Sequence, residues 1–303
     1  MTVLVSVRLI LMLIPAILAC VLLFLLGCDV QDAKIEDGHQ NPSAAIGTNS
    51  LELSKSDPQA YFRVTKSKAD KGDADSQRKT ADNYAVGRGV KVDFQEAVKW
   101  YRKAAAQNEH QAQYNLGYMY YHGEALPRDY PKAFEWFTKS ANQGNAGAQC
   151  NLGLMYDNGE GVPEDNAQAL KWYRKAANQG EAMAQYNLAS MYDEGEVLDV
   201  NKAKALEWYL KAAYGGHKES PNHIGILYDN GEGTAEDDIA AYAWWMIGIK
   251  RGDNAPQNNM DYLVKELTLK QLAQAKALSV KLEAEMARKH GANTDEELKA
   301  EGK

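Results

Sequence analysis

Ser76 and Lys79 stand three residues apart in Ser76-Gln77-Arg78-Lys79. In that spacing a lysine one helical turn on can serve as base for a serine nucleophile in acyl transfer. The chemistry needs further motifs, and none occurs at a workable distance. Ser76 also falls in a column with Ala112, Ala148 and Ala184, which marks a small core position. No HExxH, CxxC or GxSxG occurs, and Gly159-Glu160-Gly161 and Gly231-Glu232-Gly233 follow helical patterns rather than strands, so they are not dinucleotide loops. Six histidines (His39, His110, His122, His217, His223 and His290) show no ligand spacing to a second His or a Cys. The acidic stretch from Asp229 to Asp238 lacks the ligand order of a calcium loop and reads as solvated. Cys150 replaces the tyrosines at 114 and 186 and reads as a structural, unpaired thiol. No catalytic residue, cofactor or metal is expected.

The balance of charge narrows the partners. Thirty-four Lys and Arg against 41 Asp and Glu give a net charge of −7 over 303 residues. Binding nucleic acid without sequence preference needs a basic surface that releases counterions, and this chain lacks one. Cys20 and Cys28 both sit in the N-terminal segment, so Cys150 has no disulfide partner in the body of the chain.

The elements that would position any site repeat. Trp100, Trp136, Trp172, Trp208 and Trp244 are spaced by 36 residues each time. The same step joins Tyr84, Tyr120, Tyr156, Tyr192 and Tyr228, the glycines at 87, 123, 159, 195 and 231, and the alanines at 97, 133, 169, 205 and 241. A fixed period of this length signals a solenoid or a similar array. Within the third copy, Ala148, Leu152, Met155 and Tyr156 share one face of a helix. Gly159 suits a left-handed helix end, and a second helix follows with Ala169, Trp172, Tyr173, Ala176 and Ala177. The Trp and Tyr columns are expected to fill the space between units.

These residues resemble the Sel-1-like repeat family, a relative of tetratricopeptide arrays, over about residues 58 to 290. The matching string is A-x-x-x-L-G-x-x-Y-x-x-G-x-G-V followed by A-x-x-W-Y-x-x-A-A-x-x-G, carried best by Ala148 through Gly180. Copies start near Asp73, Glu109, Asn145, Glu181 and His217. The resemblance implies an all-α fold, an α/α solenoid of helix-turn-helix repeats in a curved superhelix, and a role as a protein-interaction scaffold. Some Sel-1-like proteins are discussed as β-lactam binders, and Ser76 to Lys79 fits the SxxK pattern of penicillin-recognising enzymes. An enzyme or ligand binder acting on cell-wall or β-lactam compounds is therefore the alternative. The second copy lacks the second loop glycine, with Ala125 in its place, and the fifth has Pro221 inside its expected first helix, tolerable only in the first turn.

The ends differ from the repeats. Arg8 precedes an apolar run from Leu9 to Leu26 that closes on Leu25-Leu26-Gly27-Cys28, which resembles a bacterial lipobox. A transmembrane anchor is the competing expectation, since about 18 apolar residues can span a bilayer. Residues 1–27 are read as a signal peptide, and 28–56 as a lipidated Cys28 with a tether of roughly 30 Å. Residues 57–72 are read as a capping helix begun by Asp57-Pro58, 73–252 as five repeats, and 253–303 as capping helices and a charged tail. Asp29 resembles the signal that retains lipoproteins at the inner membrane, which would place the body on its periplasmic face.

Comparison among the copies separates packing from specificity. Columns that never vary pack; columns that vary on the first helices can carry recognition. The expected partner-binding residues are Gln111, Asn115, Tyr118 and His122 in the second copy, Asn151, Leu154 and Asn158 in the third, and Asn187, Ser190 and Glu194 in the fourth. In a solenoid they would line one concave wall. The expected function is a membrane-tethered adaptor for an unidentified protein or peptide, binding neither nucleic acid nor metal.

Overall fold

A computed structural model describes residues 56–195 and 197–289, and among them every regular element is an α-helix. The helices are α1 (Pro58–Asp70), α2 (Ala74–Val86), α3 (Phe94–Ala106), α4 (His110–His122), α5 (Tyr130–Asn142), α6 (Ala146–Asn158) and α7 (Asn166–Asn178). Then come α8 (Ala182–Glu194), α9 (Lys202–Tyr214), α10 (Ser220–Asp229), α11 (Asp238–Lys250), α12 (Gln257–Leu263) and α13 (Leu269–Lys289). The first helix of each repeat is even-numbered from α2 to α10, and from α4 onward it packs against the helix that follows. The architecture is an α/α solenoid with the 36-residue period read in the sequence.

The helix ends are written into the repeat. Before the first helices, Asp73, Glu109, Asn145 and Glu181 accept the backbone N–H three residues on. Before the second helices, Asp129, Asp165, Asn201 and Asp237 do the same at 2.9–3.0 Å. Such a cap satisfies a donor the helix cannot, and removing one costs about 1 kcal/mol. Each of these second caps also returns its own N–H to the carbonyl of the tyrosine column, as in Asp165 to Tyr156 at 2.9 Å. The repeated tyrosine thus closes the loop through its backbone.

One loop position explains a glycine that spacing alone did not. Gly161, at φ +75°, lies so close to Tyr130 at the start of the preceding repeat's second helix that a Cβ would sit 2.6 Å from its carbonyl carbon. Ala125 stands at this place in the second copy and holds the same left-handed conformation, φ +60°. An L side chain there costs about 1–2 kcal/mol.

The chain divides into two compact units between Ala97 and Val98. In the first, α1 packs on α2: the rings of Phe62 and Tyr84 meet edge-on at 5.3 Å, and the buried Gln77 donates to the carbonyl of Ala69. In the second, the deepest column is Tyr101, Phe137, Tyr173, Tyr209 and Trp245, each 0–1% exposed. This corrects part of the sequence reading. Tryptophans and tyrosines were expected to fill the inter-repeat space; Trp100 and Trp244 are buried, but Trp136, Trp172 and Trp208 are only half-buried, each with a lysine ammonium over the ring at 3.8–4.3 Å. The side chain one residue later turns inward instead, onto the glycines of the first helix: Phe137 on Gly117, Tyr173 on Gly153 and Trp245 on Gly225.

Neighbouring repeats are stitched by buried glutamines. Gln113, Gln149 and Gln185 reach back to the carbonyls of Ala105, Ala141 and Ala177 at the end of the previous repeat. Gln143 and Gln179 then donate to the side-chain oxygens of Gln113 and Gln149, both at 2.7 Å. The next donor would fall at 215, which is glycine, and the oxygen of Gln185 is buried without a hydrogen bond.

The fifth copy breaks the frame. Its first helix was expected from near His217; α10 begins at Ser220 and is ten residues long against thirteen elsewhere, which puts Pro221 in the first turn, where its missing N–H costs nothing. The apolar α11 is covered by α13, whose Met286 joins Trp244 and Ile247 in one core. Tyr214 donates to Glu285 at 3.2 Å, and Lys250 pairs with Glu283 at 2.7 Å.

Candidate functional site

The first helices α4, α6 and α8 lie side by side, so positions 36 residues apart become neighbours on one wall. The ten expected partner-binding residues all lie on this wall, but they differ in how far the fold already uses them. Asn115 is buried and accepts from Gln111, whose own side-chain oxygen takes a hydrogen bond from Asn145 at 3.0 Å. Asn151 donates to the Gly147 carbonyl one turn back. Tyr118 and Leu154 are half-buried against the hydrophobic core. The outer edge is what remains open: His122, Asn158 and Glu194 are exposed, at the last position of three adjacent helices. Cys28 lies outside the described residues.

At the upstream end this edge is aromatic. The His122 ring stands 4.1 Å from that of Tyr118 and 4.9 Å from that of Tyr121. Partial burial lowers the His122 pKa against the pull of Glu124 and Glu160. Tyr121 donates to the Glu160 carboxylate of the next repeat at 2.5 Å, and burial together with that carboxylate pushes its pKa up.

Further along, α6 and α8 frame a cleft of about 480 Å3 lined by Asp157, Asn158, Glu164, Asn166, Asn187, Ser190, Met191 and Glu194. Four expected residues (Asn158, Asn187, Ser190 and Glu194) therefore converge. Ser190 donates to Glu194 at 2.8 Å. Asp157 accepts the Tyr173 hydroxyl at 3.1 Å, and burial, reinforced by Glu164 and Glu194, raises its pKa despite that bond. The lining holds three carboxylates and no basic side chain, so it offers acceptors to polar and cationic groups and little to an apolar ligand. Sequence reading missed Asp157, Glu164 and Asn166. A signal was present for Asp157: its column reads Ala85, Tyr121, Asp157, Asp193 and Asp229, so it too varies between copies and turns acidic in the last three.

The serine–lysine pair has no such setting. Ser76 is buried, and its N–H is held by Asp73 at 2.7 Å. Lys79 pairs with Asp75 at 2.9 Å; burial alone would lower its pKa, but the hydrogen bond and charge of Asp75 raise it, the wrong direction for a general base. Cys150 is buried beside Glu181, and burial first and that carboxylate second push its thiol up, away from the reactive thiolate. Among the described residues, no group of three or more His, Cys, Asp or Glu is placed to hold a metal ion.

The Sel1 repeat model matches residues 74–109, 110–145, 146–181, 182–217 and 222–253, more than half of the chain. The chain belongs to the Sel1 repeat family. Among solved structures, this Sel1 repeat chain is similar to a Sel1 repeat protein from Oxalobacter formigenes, with 25% identity, a TM-score of 0.67, and coverage of 75% of this chain and 94% of that one. It is also similar to a protective antigen of uropathogenic Escherichia coli strains that displays an SLR fold, with 28% identity, a TM-score of 0.56, and coverage of 81% and 63%. No curated protein matches it in sequence.

Proposed function

We propose that this Sel1 repeat chain is a membrane-tethered scaffold that captures a protein or peptide along the wall of first helices. The observation that carries the reading is the convergence of variable, exposed side chains from adjacent repeats. His122, Asn158 and Glu194 occupy one position in three copies, and the last two open into the same cleft. Side chains needed only for packing have no reason to vary while staying at one exposed edge. A polar cleft with three carboxylates suits an extended polypeptide that brings amide and basic groups.

The tether in this reading is lipid on Cys28, with Asp29 holding the body at the periplasmic face of an inner membrane. Among the described residues no helix is long and apolar enough to cross a membrane. In this reading the segment before residue 56 carries the anchor.

The test compares the full chain with a His122→Ala, Asn158→Ala, Glu194→Ala variant in crosslinking pull-downs from membranes. Asn158 and Glu194 contribute little to packing and His122 only its ring contacts with Tyr118 and Tyr121, so thermal unfolding should stay within about 4 °C of the wild type. Specific crosslinks should weaken at least tenfold in the variant. Undiminished crosslinking by a folded variant places the binding surface elsewhere.

A further inference from the structure

The irregular fifth repeat brings two histidines to one tyrosine. Where the other first helices carry an acidic or amide cap, the fifth copy has His217; where α4, α6 and α8 carry Asn115, Asn151 and Asn187, α10 carries His223. The delayed start of α10 leaves His217 in the loop before it, with no capping role. His217 instead stacks on the Tyr186 ring of α8 at 4.2 Å, with its Nδ1 3.0 Å from the Ser220 hydroxyl. From α10, the His223 Nε2 meets the Tyr186 hydroxyl at 3.1 Å, and the His223 ring stacks on Tyr209 of α9 at 4.8 Å. One tyrosine of the fourth repeat is thus clasped between two imidazoles of the fifth.

We propose that the junction between the fourth and fifth repeats is a pH-sensitive joint, closed by the clasp of His217 and His223 on Tyr186 at neutral pH and loosened when the two rings take up protons. A neutral His223 with its proton on Nδ1 can accept a hydrogen bond from the Tyr186 hydroxyl. A proton on Nε2 makes it a donor, and the hydroxyl must turn its own proton elsewhere. Two charged rings would then flank one tyrosine in a half-buried site.

The surrounding charges come from every element packed there. From α8, Asp193 and Glu194 face His223; from the loop, Glu219 lies 3.5 Å from His217 Nε2; after α11, Asp253 also acts on His223. Tyr186 and Tyr209 supply the rings, and Lys218 next to His217 is exposed. These carboxylates favour the charged imidazoles but are partly engaged: Asp193 with Lys202 at 2.8 Å, Glu194 with Ser190, and Asp253 with the N–H of Ala255. Burial is the larger influence and holds both histidines below their ordinary value near 6.5. The folded state therefore binds fewer protons than the unfolded one. The stabilisation is fully present above that value and is lost as pH falls below it.

The test uses the full chain. Side-chain NMR titration should find His217 and His223 both protonating below pH 6.5. Thermal unfolding, followed from about pH 7.5 to about pH 5, should show the unfolding constant rising by up to about tenfold per histidine for each pH unit between the folded and unfolded values. In His217→Asn with His223→Asn, which places asparagines found at these positions in other copies, that added dependence should vanish. Equal pH dependence in the two proteins overturns the joint. So does either histidine titrating at or above 6.5 in the wild type, a reading that needs no variant to fold.

Discussion

The ring of Tyr173 packs against Gly153, so close that a Cβ on the glycine would come within 2.5 Å of two ring carbons. Gly153→Ala should therefore force the ring outward and cost about 1–3 kcal/mol. Ala189 occupies the matching place in the fourth repeat and shares a core with Tyr209, so the position can accept a methyl once its surroundings are adjusted. Denaturant unfolding measures the loss. A Gly153→Ala protein as stable as wild type would show that the third repeat already has that freedom.

Two neighbouring aromatics should separate in the same assay. Tyr173→Ala should cost about 3–5 kcal/mol, because the whole ring leaves a closed core. Trp172→Ala should cost less, since that ring is half-buried and capped by Lys175 at 4.0 Å. The ranking, taken from urea midpoints, is the test, and the reverse order would restore the tryptophan column as the main packing element.

The glutamine stitches predict an asymmetry between repeats. Gln149→Ala leaves both the Ala141 carbonyl and the Gln179 amide without their partner, a loss of about 1–3 kcal/mol. Gln185→Ala removes one good bond and one oxygen that had none, so its cost should be smaller. Equal losses in thermal unfolding would mean that the Gln185 oxygen is satisfied in solution.

Anchoring is tested at the other end of the chain. Cys28→Ser should abolish incorporation of labelled palmitate and leave residues 1–27 attached to the protein. Label retained by that variant would rule out the lipobox. A wild type that keeps residues 1–27 and carries no lipid would favour a transmembrane anchor.

Much of the fold was legible because a 36-residue step repeats both helix caps and loop glycines. What identity columns obscured was the inward-facing position. Tyr101, Phe137, Tyr173, Tyr209 and Trp245 vary in type while conserving size, so they attract less notice than an unbroken row of tryptophans. The readable clue sat on the facing helix, at Gly117, Gly153 and Gly225, where only a large partner explains the missing side chains. The candidate wall was legible only in part for a related reason. Variation between copies marks recognition and also marks local repair of packing, and Gln111, Asn115 and Tyr118 are held by contacts that no spacing reveals. The clasp on Tyr186 was hidden because it depends on Pro221 delaying a helix, a shift of two residues that a strict period cannot express.

The missing donor at Gly215 bears on how such a chain can change length over time. A copy that receives a hydrogen bond from its successor and passes one back can be duplicated in frame, and the new join reproduces the old one. Residues 146–181 meet that condition, because Ala177 accepts from Gln185 of the next copy and Gln149 donates back to Ala141, so a gene could gain or lose such segments and still encode a continuous wall. The segment that begins after Gly215 does not meet it, because Pro221 stands where Gln113, Gln149 and Gln185 reach back to the preceding copy, and its helix starts out of register. Growth and shrinkage of this array should therefore be confined to its interior, with the fifth copy inherited as a fixed terminus.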